Sequence, residues 1–283
     1  MSAEMTGRVC VITGASRGIG RASAEALASL GASLTLVCRQ QVDGDKVANE
    51  IASRHPAALD VVAADLSSQT DIQRAAAQIR KRHPAIHVLI NNAGVFTRRR
   101  QLTFDGLEQQ FAVNHLAYFL FTNLLLDCLK AAAPSRIINV SSGAHSGSHL
   151  DFADLQGERG YDGNRAYSQS KLANILFTYE LVRRLRGTGV TANCLHPGVI
   201  ATRLLADYMG VPAAGDALAR TFGAKPEKGA ETIVYLASSQ EVEGVTGKYF
   251  VNKRPVTSSR ESNDEAAARR LWEVSERLTG ISN

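Results

Sequence analysis

The chain has 283 residues, 45% hydrophobic and 21% charged, an ordinary globular composition with enough apolar mass for a sizeable core. Its net charge of +5 is mild for a nucleic-acid binder, and no apolar run approaches the ~20 residues that span a bilayer. Cys10, Cys38, Cys128 and Cys194 form no C-x-x-C pair and join no His/Cys cluster with zinc spacing, which excludes a metal site and points to reduced, buried thiols. The N-terminal stretch has no signal-peptide pattern, so a cytoplasmic protein is expected.

Short apolar runs alternate with longer helical periodicities. Strands are predicted over residues 8–13, 33–38, 59–63, 87–91, 135–141, 191–196 and 248–251. Helices are predicted over 19–30, 42–54, 69–82, 104–130 with a break, 165–186, 227–238 and 263–278. Such alternation means βαβ units and a parallel sheet. The early strands are continuous apolar runs, as expected when both faces are covered. The fold class is therefore α/β: a single domain over residues 1–283, built on a doubly wound parallel sheet with helices on both faces. Two irregular stretches, 142–164 and 200–225, follow strands at their carboxyl ends, where open α/β sheets bind ligands. The second contains Leu204, Leu205, Tyr208 and Met209 and reads as an apolar lid. Residues 260–283 read as a C-terminal helix and tail.

The motifs follow the same order. Between the first strand and helix lies TGASRGIG. There Gly14 allows a tight turn, Gly18 a close backbone approach to phosphate, and Gly20 the packing of helix on sheet. The helix N-terminus supplies amide donors for a pyrophosphate. At the end of the second strand Cys38 and Arg39 stand where NAD-binding chains place an acid for the ribose 2′-hydroxyl. Arg39, with Arg17 from the glycine turn, suits a 2′-phosphate instead, so NADP(H) is expected. NNAG, from Asn91 to Gly94, is small enough to close over the adenosine ribose. The run Arg98-Arg99-Arg100 reads as a solvated loop, or as an attraction for an anionic ligand or membrane surface. NVSS ends the fifth strand with hydroxyls able to bind a substrate oxygen. In YSQSKLANILF, Tyr167 and Lys171 stand one helical turn apart on one face. A cation beside a phenol favours the phenolate, so Lys171 is expected to lower the Tyr167 pKa and ready it for proton transfer. In HPGVIAT, Pro197 and Gly198 turn the chain, and His196 reads as a packed histidine.

The order and spacing of TGASRGIG, NNAG, Asn114 in VNH, NVSS, YSQSK and HPG closely resemble the short-chain dehydrogenase/reductase family, over roughly residues 7–251. Within it the chain looks most like the retinol-dehydrogenase-type branch, through VCR, SSGAH, DLQGE, AYSQSKLANILFT and GVTGKYF. The branch also shares a long gap between Ser142 and Tyr167, here 25 positions (167 − 142). The resemblance implies a Rossmann-type sheet and NADP(H)-dependent interconversion of a carbonyl and its alcohol. It implies a tetrad: Tyr167 passes the proton, Lys171 tunes it and holds the nicotinamide ribose, Ser142 orients the substrate oxygen, and Asn114 holds a relay water. It further implies cofactor contacts from Gly14, Ser16, Arg17, Gly18, Ile19 and Gly20. Arg39 joins them, with Asp65 and Leu66 near the adenine and Asn91, Ala93 and Gly94 lining the cleft. Backbone near Val199 and Ile200 and the Thr202 hydroxyl would hold the carboxamide, with Pro197 and Gly198 also among the cofactor contacts.

The substrate pocket is expected between residues 142–163 and 200–220. The apolar side chains of the second stretch suggest a lipophilic aldehyde or ketone. The alternatives are an NADPH-dependent C=C reductase, related to the light-dependent pigment reductases, and a non-catalytic NADP-binding sensor or interaction protein. Relatives pair through the helices carrying Asn114 and Tyr167, as homodimers or homotetramers, although the branch includes monomers. The sequence lacks the hydrophobic N-terminal anchor of the membrane-bound members, and is similar to soluble, bacterial ones.

Overall fold

The computed structural model describes residues 4–209 and 224–281. Residues 210–223 of the expected lid, and residues 282 and 283 of the tail, lie outside the described residues. The strands are β1 (Val9–Thr13), β2 (Ser33–Cys38), β3 (Leu59–Ala63), β4 (Val88–Asn91), β5 (Ser135–Val140), β6 (Val190–His196), β7 (Tyr249–Val251) and β8 (Arg254–Val256). They form one sheet in the order β3-β2-β1-β4-β5-β6-β7-β8. The first seven are parallel, and β8 runs antiparallel to β7.

Alternate strand residues feed two cores, because successive side chains leave a strand on opposite faces. Val11, Val37, Val62, Leu89 and Ile137 join the core on one side, while Cys10, Ile12, Leu34, Leu36 and Ile90 join the other. Helix α1 (Gly18–Ser29) and α2 (Gln41–Ala52) cover the second side. The first side is covered by α3 (Gln69–Arg82), α4 (Gln109–Ala131) and α5 (Gly163–Arg184). Each fully buried Leu or Ile contributes roughly 1.5–3 kcal/mol, so the two cores dominate the stability. Beyond α5 follow α6 (Arg203–Met209), α7 (Pro226–Ser238) on the α1 side, and α8 (Glu265–Thr279). Helix α8 lies across α5 and α4, where Trp272 packs on Phe177 and Phe119.

Helix starts follow local chemistry. Ser68 accepts from the Asp71 amide at α3, Asp162 from Arg165 at α5, and Asp264 from Ala267 at α8. Asp71 sits in the first turn of α3 and Arg80, Lys81 and Arg82 in its last, each charge opposite the helix dipole.

Three features differ from the sequence expectation. The break in the fourth helix is a π turn, Ala112–Leu116, closed by the Ala117 amide on the Ala112 carbonyl, and the helix starts at Gln109 rather than 104. That helix is 23 residues long and apolar enough to cross a membrane, yet 78% of its apolar window is buried in the fold, as for a core helix. A search for unbroken apolar runs misses it because Asn114, His115 and Thr122 interrupt it. Strand β8 is also unannounced: its two-residue hairpin turn, Asn252-Lys253, has φ of 50° and 62°, a conformation usually signalled by glycine.

Candidate active site

The strand order reverses between β1 and β4, so their carboxyl ends open a crevice there. Gly14 turns the chain at φ 69°, and a Cβ on it would lie 2.9 Å from the Ala93 Cα. The two loops therefore touch through backbone alone. A Cβ on Gly20 would collide with the Gly14 carbonyl, so the turn's own closure demands this glycine, rather than helix-on-sheet packing. Gly18 opens α1 at φ 56° facing Thr202. The N-cap residue Arg17 makes no side-chain cap bond, which leaves the first-turn amides of α1 for an anion. Ile19 and Ile200 both pack against Gly229 of α7, and the backbone around Ile200 pairs with Ala224. Pro197 and Gly198, at φ 95°, turn the chain from β6 toward them.

Two residues that the sequence reading passed over join these loops. The Thr13 hydroxyl accepts from the amides of Asn92 (2.9 Å) and Ala93 (3.1 Å), and Asn92 Nδ2 donates to the Thr13 carbonyl at 2.9 Å. Both lie inside motifs, but only the cross-strand distance reveals their task. Asn91 departs from expectation. Its side chain is fully buried, donating to Thr122 Oγ1 and Asn139 Oδ1, and takes no part in the crevice.

At the adenosine end Arg17 and Arg39 are exposed, and neither guanidinium enters an ion pair or hydrogen bond among the described residues. Ser16 bonds the Cys38 thiol, which burial pushes up to about 11 and so keeps neutral. Asp65 has one carboxylate oxygen taken by the amide and hydroxyl of Ser67, and its Oδ2 makes no hydrogen bond among the described residues. Leu66 packs on the core behind it. The uncapped amides, two guanidiniums without a partner among the described residues and a half-free carboxylate fit a nicotinamide dinucleotide.

The other end of the crevice lies at the ends of β5 and β6. Ser141 Oγ is committed to the Lys171 carbonyl at 2.7 Å, whereas Ser142 Oγ accepts from the Ala144 amide at 3.2 Å and keeps its proton on the side of Tyr167, whose pKa it lowers. Lys171 is buried, donates to the Val140 carbonyl at 3.3 Å, and holds its Nζ 5.6 Å from the Tyr167 ring centre and 5.9 Å from that of Tyr118. Tyr118 in turn donates to the Ala93 carbonyl. The electrostatics reverse the expected sign. Burial lifts the Tyr167 phenol to about 12, partly opposed by the Ser142 bond, and burial lowers Lys171 to about 8. Desolvation exceeds the attraction of a cation standing over the ring, because both groups leave water together.

Asn114, in the π turn, is fully buried. Its Oδ1 accepts from the Val95 amide at 2.8 Å, and its Nδ2 donates to the Val95 carbonyl and to Ser170 Oγ, both at 3.0 Å. The side chain thus clamps the loop after β4 to α5, one residue from Lys171. A Cβ on Gly94 would meet Asn114, Lys171 and Leu204 together, so this glycine marks the floor of the crevice.

Helix α6 brings Tyr208 to 5.6 Å from the Tyr167 ring and 5.2 Å from Phe96, which itself lies 5.9 Å from Tyr167. Phe96 was not singled out from sequence, since one aromatic after NNAG carries no pattern. The expected first wall is different. Leu150, Phe152 and Leu155 join a core with Phe111, Leu172 and Leu271, and Tyr161 donates to buried Glu108. This part of the 142–163 stretch braces α4 and α5. Arg100 bonds the Gln156 carbonyl and Glu158, and Arg98 the Asp207 carbonyl of α6, so the arginine run is largely occupied in holding these segments.

Comparison with known proteins agrees with this geometry. A family model described as short chain dehydrogenase matches residues 8–209. The chain is 41% identical to retinol dehydrogenase 14 of Homo sapiens over 98% of its length and 88% of that protein's. It is 42% identical to retinol dehydrogenase 13 of Homo sapiens, over 99% and 86% respectively. Among solved structures, an uncharacterized protein from Mycobacterium paratuberculosis superposes with a TM-score of 0.81 at 33% identity, covering 98% of this chain and 95% of that one. A metagenomic short-chain oxidoreductase in complex with NADP gives 0.67 at 27% identity, over 90% and 100%.

Proposed function

The chain belongs to the short chain dehydrogenase family and is an oxidoreductase of alcohol/carbonyl pairs; from that premise we propose NADP(H) as its coenzyme, Tyr167 as its proton donor and a lipophilic aldehyde or ketone as its substrate. The observation that carries the reading is the buried Tyr167 phenol, its pKa lowered by Ser142 and its ring overlooked by the Lys171 ammonium, which also stands over Gly94 of the crevice floor.

NADP(H), when bound, supplies or accepts the hydride. The α1 amides would hold its pyrophosphate, Arg17 and Arg39 its 2′-phosphate, and Asp65 Oδ2 its adenine. Lys171, with protons left after its bond to Val140, would hold the nicotinamide ribose. Thr202 and the backbone at Ile200 would hold the carboxamide. Ser142 donates to the substrate oxygen, and Tyr167 delivers the proton as that oxygen gains charge. Phe96, Tyr208 and Leu204 offer an apolar wall that favours a lipophilic carbonyl and excludes water.

A panel of aliphatic and aromatic carbonyls, followed by NADPH absorbance, tests the reading. Turnover of the lipophilic members supports it, and tight NADPH binding without turnover on any member would leave a binding scaffold instead. For the coenzyme, Arg39→Asp is expected to raise KM for NADPH roughly 10- to 100-fold, the worth of one or two charge-assisted bonds, and to leave NADH little affected. An unaltered NADPH preference in that variant would refute the role of Arg39.

The pKa directions give a pH profile. Tyr167, raised to about 12, keeps its proton at every neutral pH, so carbonyl reduction is not limited by it there. Lys171, lowered to about 8, is cationic below that value and loses its charge above it. The kcat/KM for reduction is therefore expected to be flat on the acid side of pH 8 and to fall on the alkaline side. A rate rising through pH 8 would contradict this assignment.

A further inference from the structure

We propose that His145 is a positioning residue for Ser142, holding the Ser142 carbonyl through one neutral imidazole tautomer that the segment before α8 selects. The proposal rests on the reading of Ser142 as the group that binds the substrate oxygen. His145 lies three residues after it and is 2% exposed. Its Nδ1 is 2.7 Å from the Ser142 carbonyl oxygen, and its Nε2 is 3.2 Å from the Ser259 amide nitrogen. A carbonyl only accepts and an amide N–H only donates. Nε2 must therefore be the bare nitrogen, and Nδ1 carries the proton and donates it to Ser142.

The ring is braced edge-to-face on Tyr249 of β7, with centroids 5.0 Å apart. Ser142 is thus gripped from both sides. Behind it, Ser141 is tied to β6 by its amide on the Leu195 carbonyl and to α5 by its hydroxyl on Lys171. Ahead of it, the carbonyl receives the imidazole proton and, at 3.3 Å, the His145 amide. With its peptide planes held, the side chain is held too: Ser142 Oγ accepts from the Ala144 amide at 3.2 Å, inside the turn that His145 closes.

The far partner is anchored too. Ser258, next to Ser259, meets the Tyr179 hydroxyl at 2.8 Å, and Tyr179 belongs to α5, the helix of Tyr167. A closed circuit therefore runs from α5 through Ser258, Ser259 and His145 to Ser142 and, through the hydroxyl of the adjoining Ser141, back to α5. It makes the C-terminal segment, 114 positions from His145, part of the geometry of the proton-transfer site.

The groups facing the ring set its protonation. Burial disfavours the cation, Glu261 favours it, and His196 of β6 is close enough to interact with it, while Tyr249 and Ser259 bring no charge. A second proton would sit on Nε2 facing the Ser259 N–H, donor against donor, and would break the circuit.

Two substitutions separate the halves of the role. Asparagine places an amide nitrogen where Nδ1 stands and keeps the donor to Ser142. Glutamine reaches Ser259 with an acceptor but offers Ser142 nothing. His145→Gln is expected to lower kcat for carbonyl reduction about 100-fold with KM for NADPH unchanged, and His145→Asn to lower it about fivefold or less, since a misplacement near 1 Å costs that much. Equal losses, or the reverse order, would mean that His145 only tethers the C-terminal segment and would overturn the proposal. Imidazole nitrogen NMR of the full chain at neutral pH reads the tautomer independently of turnover. A bare Nε2 and protonated Nδ1, with the Ser142 amide signal moved by His145→Gln but not by His145→Asn, supports the proposal; a protonated Nε2 ends it. If the wild-type protein reduces no carbonyl, the functional reading fails by itself, and the NMR result still decides the role of His145.

Discussion

Tyr167→Phe is expected to lower carbonyl reduction by about 10²–10⁴-fold, the usual worth of a positioned general acid. The ring itself is kept in this variant, so its contacts with Phe96 and Tyr208 survive and the protein should fold. Only the hydroxyl is removed, the group whose pKa burial raises and Ser142 lowers. NADPH affinity should be nearly unchanged, because Lys171 and the glycine turn remain. Steady-state turnover together with an NADPH fluorescence titration checks both halves. Turnover within about tenfold of wild type would assign the proton to another group, such as Ser142 or a water, and would remove the basis of the proposed mechanism.

The second large effect is on stability. Trp272 of α8 is 3% exposed. It stacks on Phe177 of α5 (5.8 Å, 28°), meets Phe119 of α4 edge-on (4.8 Å), and carries the Arg184 guanidinium 4.2 Å above its ring. Trp272→Ala is expected to cost about 3–5 kcal/mol, since the cavity would open between three helices that cannot close on it. For a chain of this size the loss corresponds to a fall of roughly 6–20 °C in Tm, measurable by thermal melting. A fall of under about 2 °C would show that α8 is only loosely docked. Its removal also reaches the π turn, where His115 bonds Ser275 of the same helix.

His115 and Trp272 show how differently the two kinds of information were distributed. The helix of residues 263–278 was legible from its amphipathic period, and the structure gives α8 over Glu265–Thr279. Nothing in that period named α4 and α5 as its partners. Strands with continuous apolar runs were legible to within a residue or two, because a doubly covered strand must be apolar on both sides. Strand β8 was not, because its three residues are exposed and its turn uses Asn252 and Lys253. The helix Arg203–Met209 was not either, as about two turns are too short for periodicity to register.

By itself, the sequence determined the doubly wound fold, the place of the glycine turn and the face shared by Tyr167 and Lys171. These depend on local spacing: glycine where φ is positive, and four residues for one helical turn. Tertiary structure decided that Ser141 spends its proton on the Lys171 carbonyl while Ser142 keeps its own, that Asn91 turns into the core, that Asn114 clamps Val95, and that Phe96 and Tyr208 flank the phenol. It also decided the sign of the pKa shifts. Spacing put a cation beside a phenol, but the depth of both below the surface sets the desolvation cost, and that depth is made by helices and loops distant in the chain.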